Sequence, residues 1–187
     1  MKDICYTTAF FILFLSVTVS AQTLINNITF PNTYKAGTEQ LVLNGGGTRQ
    51  KYWMDMYVGA LYLPAKSKDA SSIISANNPM VIRMCIVSGL ISSAKMIKAV
   101  DEGFEKSVGN DQSKFKWEID QFKKAFSDPI KVGDVFDAVY EKDKLSIYKN
   151  NVLKAEIPGF SFKKAVFGIW LGANPADENL KKGMLGN

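Results

Sequence analysis

The run from Lys51 to Leu63, KYWMDMYVGALYL, is apolar or aromatic at nearly every position, and it constrains the fold more than any other stretch. At a period of two, Tyr52, Met54, Met56, Val58, Ala60 and Tyr62 share one face, and Trp53, Asp55, Tyr57, Gly59 and Leu61 the other. A strand that is apolar on both faces belongs in the middle of a sheet, covered on two sides. Asp55 is then the one charge in a strand interior, and it needs a polar partner or a path to water.

LNGGGTR, Leu43 to Arg49, stands directly before this run. Gly45, Gly46 and Gly47 permit a turn, a bulge or a close approach of backbones. GGGTR is followed by a strand, so it lacks the strand-to-helix setting of a dinucleotide fingerprint or a P-loop, and phosphate cradling is not indicated. Arg49 and Arg83 are the only arginines, every other basic residue being lysine. The guanidinium is a rigid, permanently charged fork that suits a carboxylate or another anionic oxygen better than an ammonium does. If a strand runs straight from Arg49, that residue shares a face with Trp53, Asp55 and Tyr57. Asp55 is then about 20 Å away, too far for an ion pair. Arg49 therefore pairs with an acid from another element or is kept for a ligand.

The first residues predict an address. Lys2 supplies a basic start, Ala9 to Val17 is almost wholly apolar, and Val19, Ser20 and Ala21 form a small-residue cleavage pattern before Gln22. Residues 1–21 are expected to be a secretory signal cleaved after Ala21, giving a periplasmic or secreted protein without stable membrane insertion. A membrane anchor needs about 20 apolar residues, more than this run supplies. Cleavage removes Cys5 and leaves Cys85, so an exported chain would have no internal disulfide and must rely on its core. Cys85 lies in MVIRMCIV, where it reads as a small buried hydrophobe. The net charge of +5 comes from scattered lysines mixed with acids, which is not the concentrated stripe that binds nucleic acid. Attraction to an acidic membrane surface or an anionic ligand is compatible with it.

No repeat or long linker interrupts residues 22–187, which read as one domain. Strands are predicted over Glu39 to Asn44, Lys51 to Leu63 and Pro79 to Val87. A helix follows from a Ser92 or Ser93 cap to Gly109, and a second runs from Ser113 to Pro129. The second carries Phe115, Ile119, Phe122 and Phe126 on one stripe, a core pattern that could also wall a cleft. Val132 to Tyr140, Leu145 to Tyr148 and Val152 to Ile157 read as a three-stranded antiparallel meander. A helix capped by Ser161 then presents Phe162, Val166, Ile169 and Trp170, and a last helix is expected to start with Asn174 as cap and Pro175 in its first turn.

Histidine is absent, which excludes imidazole triads and histidine metal sites, and the cysteine clusters of zinc or iron sites are missing too. No metal or cofactor is expected. LNGGGTRQKYWMDMYVGALYLP resembles the GAGxR segment and the GVYL-type strand of chalcone isomerases. LISSAKMIKAVDEGF, FSDPIKVGDVF and FSFKKAVFGIWLGANPADENLKKGMLG look like the bacterial chalcone isomerase-like family of exported proteins, a branch of the chalcone isomerase superfamily. The resemblance implies an α+β fold, an open-faced sandwich in which a large antiparallel sheet is covered by helices, with an apolar cleft between the two.

In the plant enzymes the arginine matching Arg49 assists ring closure of a phenolate onto an enone, so Arg49 would be catalytic only if this chain is such an isomerase. Orientation and stabilised negative charge suffice for that reaction, and histidine is not required. The plant threonine falls on about Tyr57, and the plant asparagine and tyrosine contacts match no residue here. Other branches bind fatty acids, the arginine holding the carboxylate, or are associated with haem, for which the histidine ligand is missing here. The leading expectation is an exported, non-catalytic binder of a small apolar anionic ligand such as a fatty acid. Arg49, Trp53, Tyr57 and Tyr62 are the expected binding residues. The alternatives are an intramolecular lyase and a structural or interaction protein without ligand.

Overall fold

Short hairpin connections let most strands pair with their sequence neighbours. The computed structural model describes residues 21–187; the secretory signal read over residues 1–21 lies, but for Ala21, outside the described residues. Strands β1 (Gln22–Ile25) and β2 (Ile28–Pro31) make a separate hairpin. Seven more, β3 (Thr33–Ala36), β4 (Glu39–Lys51), β5 (Met54–Leu63), β6 (Met80–Ile86), β7 (Val135–Glu141), β8 (Lys144–Lys149) and β9 (Val152–Pro158), form one sheet in sequence order. Every neighbouring pair in it is antiparallel. The helices are α1 (Ala70–Ser75), α2 (Ser93–Val108), α3 (Lys116–Lys124), α4 (Phe160–Leu171) and α5 (Glu178–Met184), with a 3-10 turn over Gly109–Phe115 before α3. This is the expected α+β arrangement of a large antiparallel sheet covered by helices.

β5 is central, as its two apolar faces require, and Tyr57 through Leu63 are all buried. Tyr57, Leu61 and Leu63 face the helical layer, where Met84, Phe104, Phe122, Phe162 and Trp170 complete the larger core. Val58, Ala60 and Tyr62 face the other way, into a smaller core with Phe30, Leu41 and Val81 that partly buried Ile25 and Ile28 of the β1–β2 hairpin help to cover. α4 is buried almost all round, the pattern of a central helix. Its Lys163 is fully buried, and the ammonium donates to the carbonyls of Ile73, Ile74 and Ala76 at the C-terminal end of α1.

Two departures from the expected elements bear on the site. The glycine run lies inside β4, and the chain reverses at Tyr52 and Trp53, both with positive φ. Arg49 is thereby paired across the hairpin with Tyr57 and Gln50 with Asp55, and a bulge between these pairs leaves Met56 without a partner. The straight strand from Arg49 is corrected accordingly. Asp55 does find polar partners, accepting from Gln50 Nε2 at 2.7 Å and Asn26 Nδ2 at 2.8 Å, and these bonds hold its carboxyl below the usual range.

The last helix also starts later than expected. Asp177, not Asn174, is its cap, because the Asp177 carboxylate accepts both from Leu180 N inside the helix and from Gln50 N on β4. Pro175 lies buried ahead of it. The strands β1 to β3 and the six-residue α1 are additions to the predicted elements.

Candidate functional site

The glycines of β4 serve close approach. Gly45, Gly47 and Arg49 alternate onto the helical side, and α5 lies on the first two. A Cβ on Gly45 would collide with the carbonyl oxygen of Gly183, and one on Gly183 with that of Gly46. A Cβ on Gly47 would sit 3.3 Å from the Leu180 Cα. Side chains at these positions would lift the helix off the sheet. Asn44, at the register shift beside them, is buried, and its amide donates to Ser67 O and Met184 O while its oxygen accepts from Ser67 N. Arg49 is the first side chain on this face beyond the end of α5, and so the first with room to project.

It projects into a cavity of about 290 Å³ between the sheet, α2, α3 and α4. That volume lies near the lower end of ligand pockets. The deep wall is apolar: Met84, Met96, Phe122, Phe126, Ile169 and the ring of Trp170, all buried. Phe122 in α3 and Phe126 just beyond it are thus core and cleft wall at once. The bulge at Met56 breaks the alternation of β5, so that Met54, Met56 and Tyr57 all line the same cavity.

Arg49 and Tyr57 form the polar end. The guanidinium carbon lies 6.0 Å from the Tyr57 ring centre, within range of a cation–π contact. Among the described residues Arg49 makes no ion pair and no side-chain hydrogen bond. The Tyr57 hydroxyl accepts from Trp170 Nε1 at 2.8 Å and donates to no described residue, which leaves its own proton for a molecule in the cavity. Burial pushes this phenol up to about 12, against the opposing pull of the Arg49 charge. Near neutral pH it is a hydrogen-bond donor and not a base. The pair therefore offers one permanent cation and one neutral donor, a combination that stabilises a carboxylate or a phenolate.

Of the four expected binding residues, the structure brings Arg49 and Tyr57 together and separates the other two. Trp53 sits on the hairpin tip with 95% of its surface exposed. Tyr62 points into the smaller core on the opposite face of the sheet, where its hydroxyl donates to Pro31 O. Trp53 follows from the turn, which ends the alternation assumed for a straight strand, and Tyr62 follows from the alternation itself, which sets it on the face opposite Tyr57. From its spacing alone Trp170 is only an apolar helix residue. The signal that could have placed it is that a buried indole N–H requires an acceptor.

Among the described residues no group of acids and cysteines has the geometry of a metal site, and no helix is long and apolar enough to cross a membrane. The sequence model of the chalcone isomerase-like family matches residues 22–186. A search of curated proteins finds no match. Among solved structures, the chain is similar to the crystal structure of an Arabidopsis thaliana fatty-acid binding protein. The identity is 17% and the TM-score 0.70, over 88% of this chain and 96% of the other.

Proposed function

The chain belongs to the chalcone isomerase-like family, and from that premise we propose that it binds a small apolar molecule with an anionic end, of the fatty-acid class. The observation that carries this reading is Arg49 directed into an apolar cavity, with no carboxylate partner among the described residues and the Tyr57 hydroxyl beside it. The anion would sit between guanidinium and phenol, and the tail would replace water along Met84, Phe122, Phe126 and Ile169. Burial of each methylene contributes roughly 0.8 kcal/mol, so the tail supplies affinity and the arginine orientation. The similarity in fold to a fatty-acid binding protein supports the same reading. Export, with cleavage after Ala21, is part of the proposal and is checked by the mass of the N-terminal peptide of the protein recovered from the periplasm or medium.

Native mass spectrometry of the purified protein tests the site. Fatty acids are expected on the wild type and lost from Arg49→Ala, with partial retention in Arg49→Lys. Equal occupancy in all three forms, or none in any, would overturn the proposal. The same preparations should leave hydroxylated chalcones at their spontaneous rate of ring closure. A faster rate that disappears with Arg49→Ala would assign the pair to intramolecular lyase chemistry instead.

A further inference from the structure

The turn between β4 and β5 holds two aromatic residues in a backbone conformation that suits neither. Tyr52 and Trp53 have φ of 53° and 61°. Three other adjacent pairs of non-glycine residues have positive φ, namely Asn26–Asn27, Lys142–Asp143 and Asn150–Asn151. Each contains the Asn or Asp that tolerates this region, and such residues are the usual choice in two-residue hairpins. Folding alone would favour the same here. The side chains at this tip gain nothing by burial either, Trp53 being 95% and Tyr52 74% exposed.

The tip adjoins the mouth of the cavity. Tyr52, Met54 and Leu90 line that mouth and are themselves exposed, so the apolar patch runs from Trp53 into the opening. Lys51, Lys95 and Lys98 line the same mouth, none of them in an ion pair among the described residues, and Glu102 is the one carboxylate in the lining. The Lys51 ammonium lies 5.6 Å from the Tyr52 ring centre. Aromatic side chains flanked by lysines match the two layers of a bilayer surface, because amphipathic rings settle at headgroup level and ammonium groups pair with anionic lipid phosphates. A stable protein interface needs about 800 Å² per partner, and a narrow tip of two rings ringed by charge offers little flat area.

We propose that the Tyr52–Trp53 hairpin tip and its lysine rim dock the protein on an anionic phospholipid surface, with the cavity mouth facing the lipid. An apolar ligand could then pass between bilayer and cavity without crossing water, a step that rests on the reading of the cavity given above. The docking itself does not depend on it.

The mature protein, residues 22–187, with folding verified by circular dichroism, is mixed with vesicles of phosphatidylcholine alone or in equal parts with phosphatidylglycerol, and sedimented. Binding is expected to the anionic vesicles, with a blue shift of tryptophan emission. Trp53→Gly should lower partitioning roughly tenfold or more, the scale for withdrawing one large apolar side chain. It should also raise the melting temperature, because glycine is at ease at positive φ. A side chain with a merely structural role would lower both. Lys95→Ala and Lys98→Ala should each reduce partitioning roughly fivefold.

Absence of wild-type binding, equal binding to both vesicle types, or unchanged binding by Trp53→Gly would overturn the proposal. Self-association lost in Trp53→Gly, with no vesicle binding, would also overturn it and assign the tip to a second copy. Arg49→Ala should still bind vesicles, and Trp53→Gly should still carry fatty acid, so failure of docking and failure of the ligand reading are separable.

Discussion

Tyr57 shows how one side chain can be structural and available at once. Its hydroxyl oxygen satisfies the buried Trp170 N–H, while its proton has no acceptor among the described residues and the side chain lines the cavity. Tyr57→Phe removes the acceptor and leaves the indole N–H unpaired, which should cost about 1–3 kcal/mol of stability, measured by urea unfolding. It should also weaken fatty-acid retention without abolishing it, because Arg49 keeps the charge. Arg49 was legible in the sequence from its rarity and its place after three glycines. Tyr57 is legible too, but as a residue on the same face of one straight strand, whereas it faces Arg49 across a hairpin. Trp53 and Tyr62 lie away from the cavity for separate reasons: period-two alternation sets Tyr62 opposite Tyr57, the sequence leaving open which face meets the helices, and Trp53 falls in the turn. Neither residue of the Tyr52–Trp53 turn carries a turn signal, and a bulge such as that at Met56 leaves no mark in an apolar pattern.

At the scale of elements, the seam between α5 and β4 sets the position of the site. Gly183→Ala should cost about 1–3 kcal/mol, the range for overpacking, because the added carbon meets the backbone carbonyl of Gly46 and not a side chain that could swing away. The drop in melting temperature should be accompanied by loss of fatty acid, since lifting α5 also draws Asp177 from Gln50 beside Arg49. An equal change at Gly89, where a Cβ meets nothing within 4 Å, should leave both unchanged. Long periodic elements such as β6, α2 and the β7–β9 meander were legible, because alternation and helical spacing persist over enough residues. The four-residue strands β1 to β3 and the six-residue α1 are too short to display a period. Local sequence points to Asn174 and Pro175 as the start of α5. Asp177 prevails because it caps the helix and binds β4 together, a tertiary contact that local sequence does not report.

For the whole molecule, the buried ionisable groups predict an unusual pH profile. Burial pushes the Lys163 ammonium down to about 8, so between pH 8 and its ordinary value near 10.5 the unfolded chain binds more protons and stability rises with pH. Burial pushes the phenols of Tyr57, Tyr62 and Tyr140 up to about 12, so their contribution is complete below pH 10 and is lost as pH rises through 12. Burial likewise pushes the Cys85 thiol up to about 11, which offsets the Lys163 gain above pH 9, so urea unfolding should show maximum stability between about pH 9 and pH 10, and Lys163→Met should remove the rise below it. A profile that falls steadily from pH 8 would contradict this balance. The bond from Asn44 to Met184 joins residues 140 apart in the chain, whereas β7, β8 and β9 are linked by two-residue turns. Closing so long a loop is slow compared with zipping a hairpin. The order of events follows: the meander and the β4–β5 hairpin can assemble early from local contacts, and α5 seats on β4 only when distant parts of the chain have met, so Arg49 already faces Tyr57 before the last helix fixes their place in the molecule.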